Sequence, residues 1–346
     1  MSGYSARIRP SWRLAAWGTT IAALGASAEA SGQTSSVERP RTLVVGLPSA
    51  GARADRVDGA RTGRTRSTLP SSGLRTQWRV PLGALIEHAP LVDVRGGIYV
   101  VGTRGEVIAI ARDGTERWRV STGAAQPGAA ALLSDDTIVF ADAAGEAVAV
   151  RDGSVRWRVP FGRADASGPA PLPLEDGGVV VATTRELAVL DAEGRERART
   201  TLREATNVPL VAALGRVVAV SSSGAVWSWA PGTPEPERVG GFGTPVDSGA
   251  ALADDHTLVA VTADQLHLTA VDLLRGTATT RTVALAGVWL GPPAMCGSTA
   301  HVVLLASSSE IAVTIDAAGN EIARVALAVH PTPIAADGVT ASLIAH

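Results

Sequence analysis

Short apolar runs rich in Val, Ala, Leu and Ile recur along most of the chain, and they come in pairs. Ile98–Val101 is followed by Val107–Ile110, Thr137–Phe140 by Ala147–Val150, Val179–Val181 by Leu187–Leu190, and Val217–Val220 by Val226–Trp229. Runs of this length between turn residues predict strands, because an amphipathic helix would need a longer segment with a 3.6-residue period. The second run of a pair leads into Asp113-Gly114, Asp152-Gly153, Asp191…Gly194 or Asp316…Gly319. Asp and Gly tolerate the positive φ of a hairpin turn, so each pair continues into a third strand. That third strand alternates: Gln77-Trp78-Arg79-Val80, Arg117-Trp118-Arg119-Val120 and Arg156-Trp157-Arg158-Val159 recur about every 40 residues, followed by Gly83, Gly123 and Gly162. Arg197-Ala198-Arg199-Thr200, Glu237-Arg238-Val239, Arg281-Thr282-Val283 and Ala323-Arg324-Val325 continue the register without the tryptophan. A proline-marked segment follows each copy: Pro90, Pro169, Pro209, Pro293 and Pro333, with Pro127 nearby in the second unit and Gly249 in the fifth.

Four short antiparallel strands at this period make one blade of an all-β propeller. Six units are complete, and a seventh, Val329 to His346, stops before its third strand. Seven blades are expected, with six or eight left open; the last would be incomplete and closed by the N-terminal Trp78 strand, which would protect its edge. Thr42–Leu47, an isolated apolar run, is either that blade's missing strand or part of a loose arm. The expected organisation is a signal peptide at 1–30, an arm at 31–74 and the propeller at 75–346.

The unit of Trp-Arg-Val, Gly, Pro, paired strands and Asp-Gly over residues 75–346 resembles the tryptophan-marked repeat of the PQQ-like β-propellers. That group includes quinoprotein dehydrogenases and the outer-membrane assembly lipoprotein BamB. Asp55-Arg56 through Arg61-Thr62-Gly63-Arg64-Thr65 also resembles the Arg/Thr/Gly-rich lead-in before the first blade of some members. The resemblance implies a fold, not a function. Quinoproteins hold their quinone beside a disulfide of adjacent cysteines, with calcium ligands and a catalytic aspartate near the axis. Cys296 is the only cysteine and no calcium-loop spacing occurs, so a non-quinoprotein member without PQQ, metal or other cofactor is expected.

Composition narrows the setting. Hydrophobic residues at 46% against 18% charged support a large core. The 31 basic side chains are all arginine, and a net charge of −2 gives no electrostatic reason to bind nucleic acid. Arg7, Arg9 and Arg13, the apolar stretch Leu14–Ala26 and Ala28-Glu29-Ala30 read as a secretory signal cut before Ser31. The apolar stretch is too short to span a bilayer, so the mature chain is expected in the periplasm or outside the cell and not membrane-spanning. No cysteine follows the signal to carry a lipid, a departure from BamB.

Nucleophile-elbow, zinc-protease and phosphate-loop motifs do not occur, so no catalytic residues are assigned. A dispersed site at the channel mouth stays open. The residues just before the proline markers, His88, Gln126, Ser167, Asn207, Asp247 and His330, form a polar series that either binds a small polar ligand or caps strand starts. Glu87 beside His88 is a weak acid/base pair, since neighbouring strand residues point to opposite faces. Trp78, Trp118 and Trp157 are expected in the core between blades. Trp227 and Trp229, two apart on one strand face, are expected to pack between blades, with an aromatic platform for a sugar or protein as the alternative candidate. Asp135-Asp136 and Asp254-Asp255 fit ordinary turn chemistry. The arginines between Ala50 and Gly73 read as a solvated arm or as a dock for an acidic surface. The reading leans against an enzyme and towards a scaffold that binds a protein or an envelope polymer. An enzyme or sugar-binding protein with a channel-mouth site is the alternative, and a purely structural envelope element a third class.

Overall fold

The computed structural model describes residues 54, 60–61 and 77–327, apart from 125–126, 162–168, 207, 247–248, 264–266, 284–287, 290–292, 297–298, 307–308 and 317–318. Every element in it is a strand. Blade 1 consists of Leu91–Val92, Ile98–Val101, Glu106–Ile110 and Glu116–Ser121, joined in that order as an antiparallel meander. Blade 2 repeats this with Ala130–Leu132, Ile138–Ala141, Glu146–Arg151 and Ser154–Pro160. Blade 3 has Leu172–Pro173, Val179–Ala182, Glu186–Leu190 and Glu196–Thr201; blade 4 has Val211–Ala213, Arg216–Val220, Ala225–Trp229 and Glu237–Gly241. Ala250–Leu252, Thr257–Val261, His267–Asp272 and Thr277–Thr282 make blade 5.

In blade 6 the innermost place is shared by two short strands. Val288–Trp289 and Ala294–Cys296 both pair with Thr299–Ala306, which continues to Ser309–Ile315 and Glu321–Leu327. The expected seventh unit lies beyond Leu327, outside the described residues, as do the signal segment and Thr42–Leu47.

The core is a series of layers between blades rather than one central mass. One layer joins Tyr99, Val107 and Ala109 of blade 1 to Leu132, Phe140 and Val148 of blade 2, and similar layers follow at each later junction. This explains why the two middle strands are apolar throughout: both faces are covered, and Ile108, Val148 and Ala188 are each 0% exposed. A side chain of Val or Ile size buried this fully contributes about 1.5–3 kcal/mol. The outermost strands alternate between exposed and half-buried positions, because one of their faces meets water.

Candidate functional site

The tryptophans mark the joints between blades. Trp118 stands opposite Ala109, and Trp157 opposite Ala149; the small partner leaves room for the indole on the face turned to the following blade. There the ring lies on the turn between the two outer strands of that next blade. A Cβ on Gly114 would fall 2.7 Å from the Trp78 ring, and one on Gly194 would fall 2.7 Å from the Trp157 ring. Only glycine permits that approach. Trp78 Nε1 donates to the Arg112 carbonyl at 3.0 Å, and Trp157 Nε1 to the Ala192 carbonyl at 2.9 Å. Blade 2 has a shorter two-residue turn, which brings no carbonyl to Trp118, and its Nε1 is buried without a partner among the described residues. Trp78 thus bears on blade 1 as Trp157 does on blade 3, although Gln77–Val80 form no strand with described residues.

The arginine after the tryptophan position in blades 1 to 3 faces the other way and ties its blade to the preceding segment. Arg119 donates to the Leu82 carbonyl at 2.8 Å, Arg199 to Phe161 at 3.1 Å, and Arg158 to Thr122. The same guanidiniums pair with carboxylates of their own blade: Arg119 with Glu116, Arg158 with Glu146, and Arg199 with Glu186 and Glu196. The hydrogen bonds from arginine hold the Glu116 and Glu196 carboxyls below the usual range.

Blades 3 and 4 lack the tryptophan, and the two joints respond differently. Ala198 leaves space that is filled from the opposite side by Trp227 and Trp229 of blade 4, which pack with it in one cluster. They are 7% and 1% exposed, so neither ring offers a face to a ligand; they pack between blades, and the aromatic-platform candidate is set aside. Trp229 Nε1 donates to the Thr233 carbonyl at 3.0 Å.

At the next joint the tryptophan position is Glu237, opposite Ser228. Glu237 turns to Arg216 at 2.8 Å, and the backbone of Val239 and Gly240 packs on the turn glycine Gly276 in the place that an indole takes at other joints. The strand carries one extra residue before Phe242, and its bulge falls at Val239 rather than at the strand start as in blades 1 to 3. The result is a cleft of about 890 Å³ between the outer part of blade 4 and the turn Leu273–Gly276 of blade 5. Arg216, Glu237, Arg238 and Arg275 line it, with Leu214 and Leu274 at 38% and 68% exposure. The Arg216 Nε is buried there without a partner among the described residues.

The axis holds a residue of the arm. Arg61 is 1% exposed. Its Nε donates to the Leu210 carbonyl at 2.8 Å and its Nη2 to the Ala170 and Pro171 carbonyls at 3.2 Å, all immediately before the inner strands of blades 4 and 3. The Ala60 carbonyl accepts from the Leu252 amide of blade 5 at 3.1 Å. These residues therefore depart from the expected solvated arm. The backbone at Arg61 has φ of 56°, a conformation that costs a non-glycine residue about 1 kcal/mol and persists where surrounding contacts enforce it.

Of the channel-mouth series, His88 is half-buried and Glu87 beside it is exposed; Gln126, Ser167, Asn207, Asp247 and His330 lie outside the described residues. The Asp254-Asp255 turn behaves as expected: Asp254 accepts from the His256 and Thr257 amides, and His256 Nδ1 lies 2.6 Å from Asp255.

A protein-family model described as outer membrane protein assembly factor BamB matches residues 60–168 and 147–235, together half of the chain. The chain belongs to the BamB family of PQQ-like repeat propellers. The match begins at Ala60, next to the residue that enters the axis. The crystal structure of BamB from Moraxella catarrhalis is similar to this BamB-family chain with a TM-score of 0.60 at 15% identity, over 74% of this chain and 81% of that one. The C-terminal WD40 domain of Sif2 is similar with a TM-score of 0.50 at 13% identity, over 66% of each chain. At these identities the likeness is one of fold. Comparison with curated proteins finds no match.

Proposed function

We propose that this BamB-family chain is an exported, periplasmic scaffold that binds a protein partner at the cell envelope and works without a catalytic site or cofactor. The observation that carries the reading is the occupied axis. A propeller that binds a small ligand centrally must keep that space open, whereas here the Arg61 guanidinium and the Ala60 carbonyl are hydrogen-bonded at the inner strands of blades 3, 4 and 5. The same observation speaks against a quinone, since the residues present do not fit one: Arg61 takes the axial position and the single Cys296 cannot supply the disulfide. The family description, an outer membrane protein assembly factor, supports the envelope setting. So does the signal-like segment ahead of Ser31. Among the described residues no helix is long and apolar enough to cross a membrane.

The test is capture from an envelope extract on the immobilised chain from Ser31 onward, with mass spectrometry of what is retained. One dominant protein that survives a salt wash supports the scaffold. Retention of none, together with turnover of a sugar or small polar substrate that is lost in His88→Ala, would replace it with the enzyme reading.

A further inference from the structure

We propose that the outermost strand of blade 5 is a dimer contact, which pairs edge to edge and antiparallel with the same strand of a second copy of this chain. The inference goes beyond the scaffold reading and does not depend on it.

The outer strand of each described blade has a free edge, and an unguarded edge recruits another strand. Proteins guard such edges with charged side chains and with bulges that twist the backbone away. The other described blades use both. Their outer strands break register with the neighbouring strand at a bulge, and each carries at least two charged residues, such as Glu116, Arg117 and Arg119 in blade 1. Thr277–Thr282 in blade 5 has lost the bulge and most of the charge. It pairs with His267–Asp272 through six consecutive residues without a shift, and its only charged residue is Arg281. Thr277 to Arg281 are exposed. Four of the six residues are threonine, whose branched side chain suits a pleated, extended backbone.

The hydrogen-bond pattern decides which groups this edge offers. The Thr262 amide donates to the His267 carbonyl at 3.0 Å, so His267, Thr269 and Val271 turn their backbone groups to the Thr257–Val261 strand. Alternation then turns Leu268, Ala270 and Asp272 to their partners Arg281, Thr279 and Thr277. The amides and carbonyls of Ala278, Thr280 and Thr282 are left pointing away from the blade.

These three residues select the occupant. Two copies related by a two-fold axis at Thr280 place Thr280 opposite Thr280 and Ala278 opposite Thr282, so every outward amide and carbonyl finds a partner. In the same register Arg281 of each copy faces Thr279 of the other, so the two guanidiniums do not stand opposite each other, and threonines meet across the seam. Two paired six-residue edges cover less than the area of about 1,200 Å² at which stable interfaces begin. The dimer therefore belongs to the weak class, with a Kd of about 10–100 µM.

The experiment is sedimentation velocity on the full mature chain, from Ser31 onward, loaded at about 1 to 500 µM, where a monomer–dimer equilibrium is expected. Thr280→Pro removes an outward N–H and no hydrogen bond of the blade itself, and is expected to weaken dimerisation about tenfold or more with the circular dichroism unchanged. A second test does not need the proline to be tolerated, because Thr280 faces itself. Thr280→Lys and Thr280→Glu each set like charges opposite one another and lose the dimer, whereas an equimolar mixture of the two restores it. A chain that is monomeric at about 500 µM leaves the edge to solvent or to a strand of another protein and overturns the proposal. A dimer that Thr280→Lys leaves intact, a mixture that does not associate, or growth beyond the dimer overturns it equally.

Discussion

Arg61→Ala is the substitution on which the account of the axis stands. It removes a buried guanidinium whose Nε and Nη2 serve three backbone carbonyls, at Leu210, Ala170 and Pro171. Orphaning a buried acceptor costs about 1–3 kcal/mol, and the upper end is not reached at all three, because water can enter the space that the side chain vacates. Releasing the ordered side chain returns about 1.5–2 kcal/mol, while the strained φ stays, because alanine bears it no better than arginine. The net destabilisation expected is about 2–4 kcal/mol, a large part of the stability of an ordinary domain. Arg61→Lys separates charge from geometry: an ammonium keeps the charge but cannot span three carbonyls with a planar fork, so it recovers less than half of the loss. Urea unfolding followed by tryptophan fluorescence measures both, since Trp227 and Trp229 lie in the layer between the two blades that Arg61 links. Arg104→Ala, at an exposed arginine on the rim of blade 1, is the control and should leave the midpoint unmoved. If Arg61→Ala unfolds at the same urea concentration as the wild type, Arg61 does not hold the axis, and the argument against a central ligand goes with it.

The joints between blades give three more outcomes. Gly194→Ala should destabilise more than Gly153→Ala in thermal melts: both have positive φ, but the new Cβ falls 2.7 Å from the Trp157 ring in the first and 3.4 Å from Trp118 in the second. Trp229→Phe should cost about 1 kcal/mol more than Trp227→Phe, because Trp229 donates to Thr233 while the Trp227 Nε1 is buried without a partner among the described residues. The pKa of His256 is raised above 6.5 by its hydrogen bond to Asp255, so the stabilisation from its charged form is complete below 6.5 and disappears as pH rises through the folded value. An NMR titration should place the imidazole above 6.5, and His256→Gln should lower the melting temperature relative to wild type only on the acidic side.

How much of this was legible in the sequence depends on the range of the contact that decides each residue's role. The strands, their turns and the blade period are local: alternation of side chains, Asp-Gly turns and a recurring Trp-Arg-Val suffice, and five described blades follow the four-strand plan. The inner half of blade 6 departs from it. Ala294–Cys296 and Val288–Trp289 divide one edge of a long neighbour, which the degenerate residues around Pro293 do not announce. Arg61 is one of a run of arginines with the same local composition, and its partners lie 109 to 149 residues away, so nothing local set it apart. Trp227 and Trp229 were visible as a pair on one face, but the vacancy that they fill is created by Ala198 in the preceding blade. The same logic applies at Glu237, where the repeat shows that a tryptophan is missing, but the bulge that carries the Val239–Gly240 backbone onto Gly276 could not be read from the sequence. In a repeat protein each departure from the consensus removes one half of a contact made between neighbouring units. The other half comes from the next blade's side chains at Ala198 and from a backbone bulge of the departing strand itself at Val239, so two losses of the same residue are closed in two different ways.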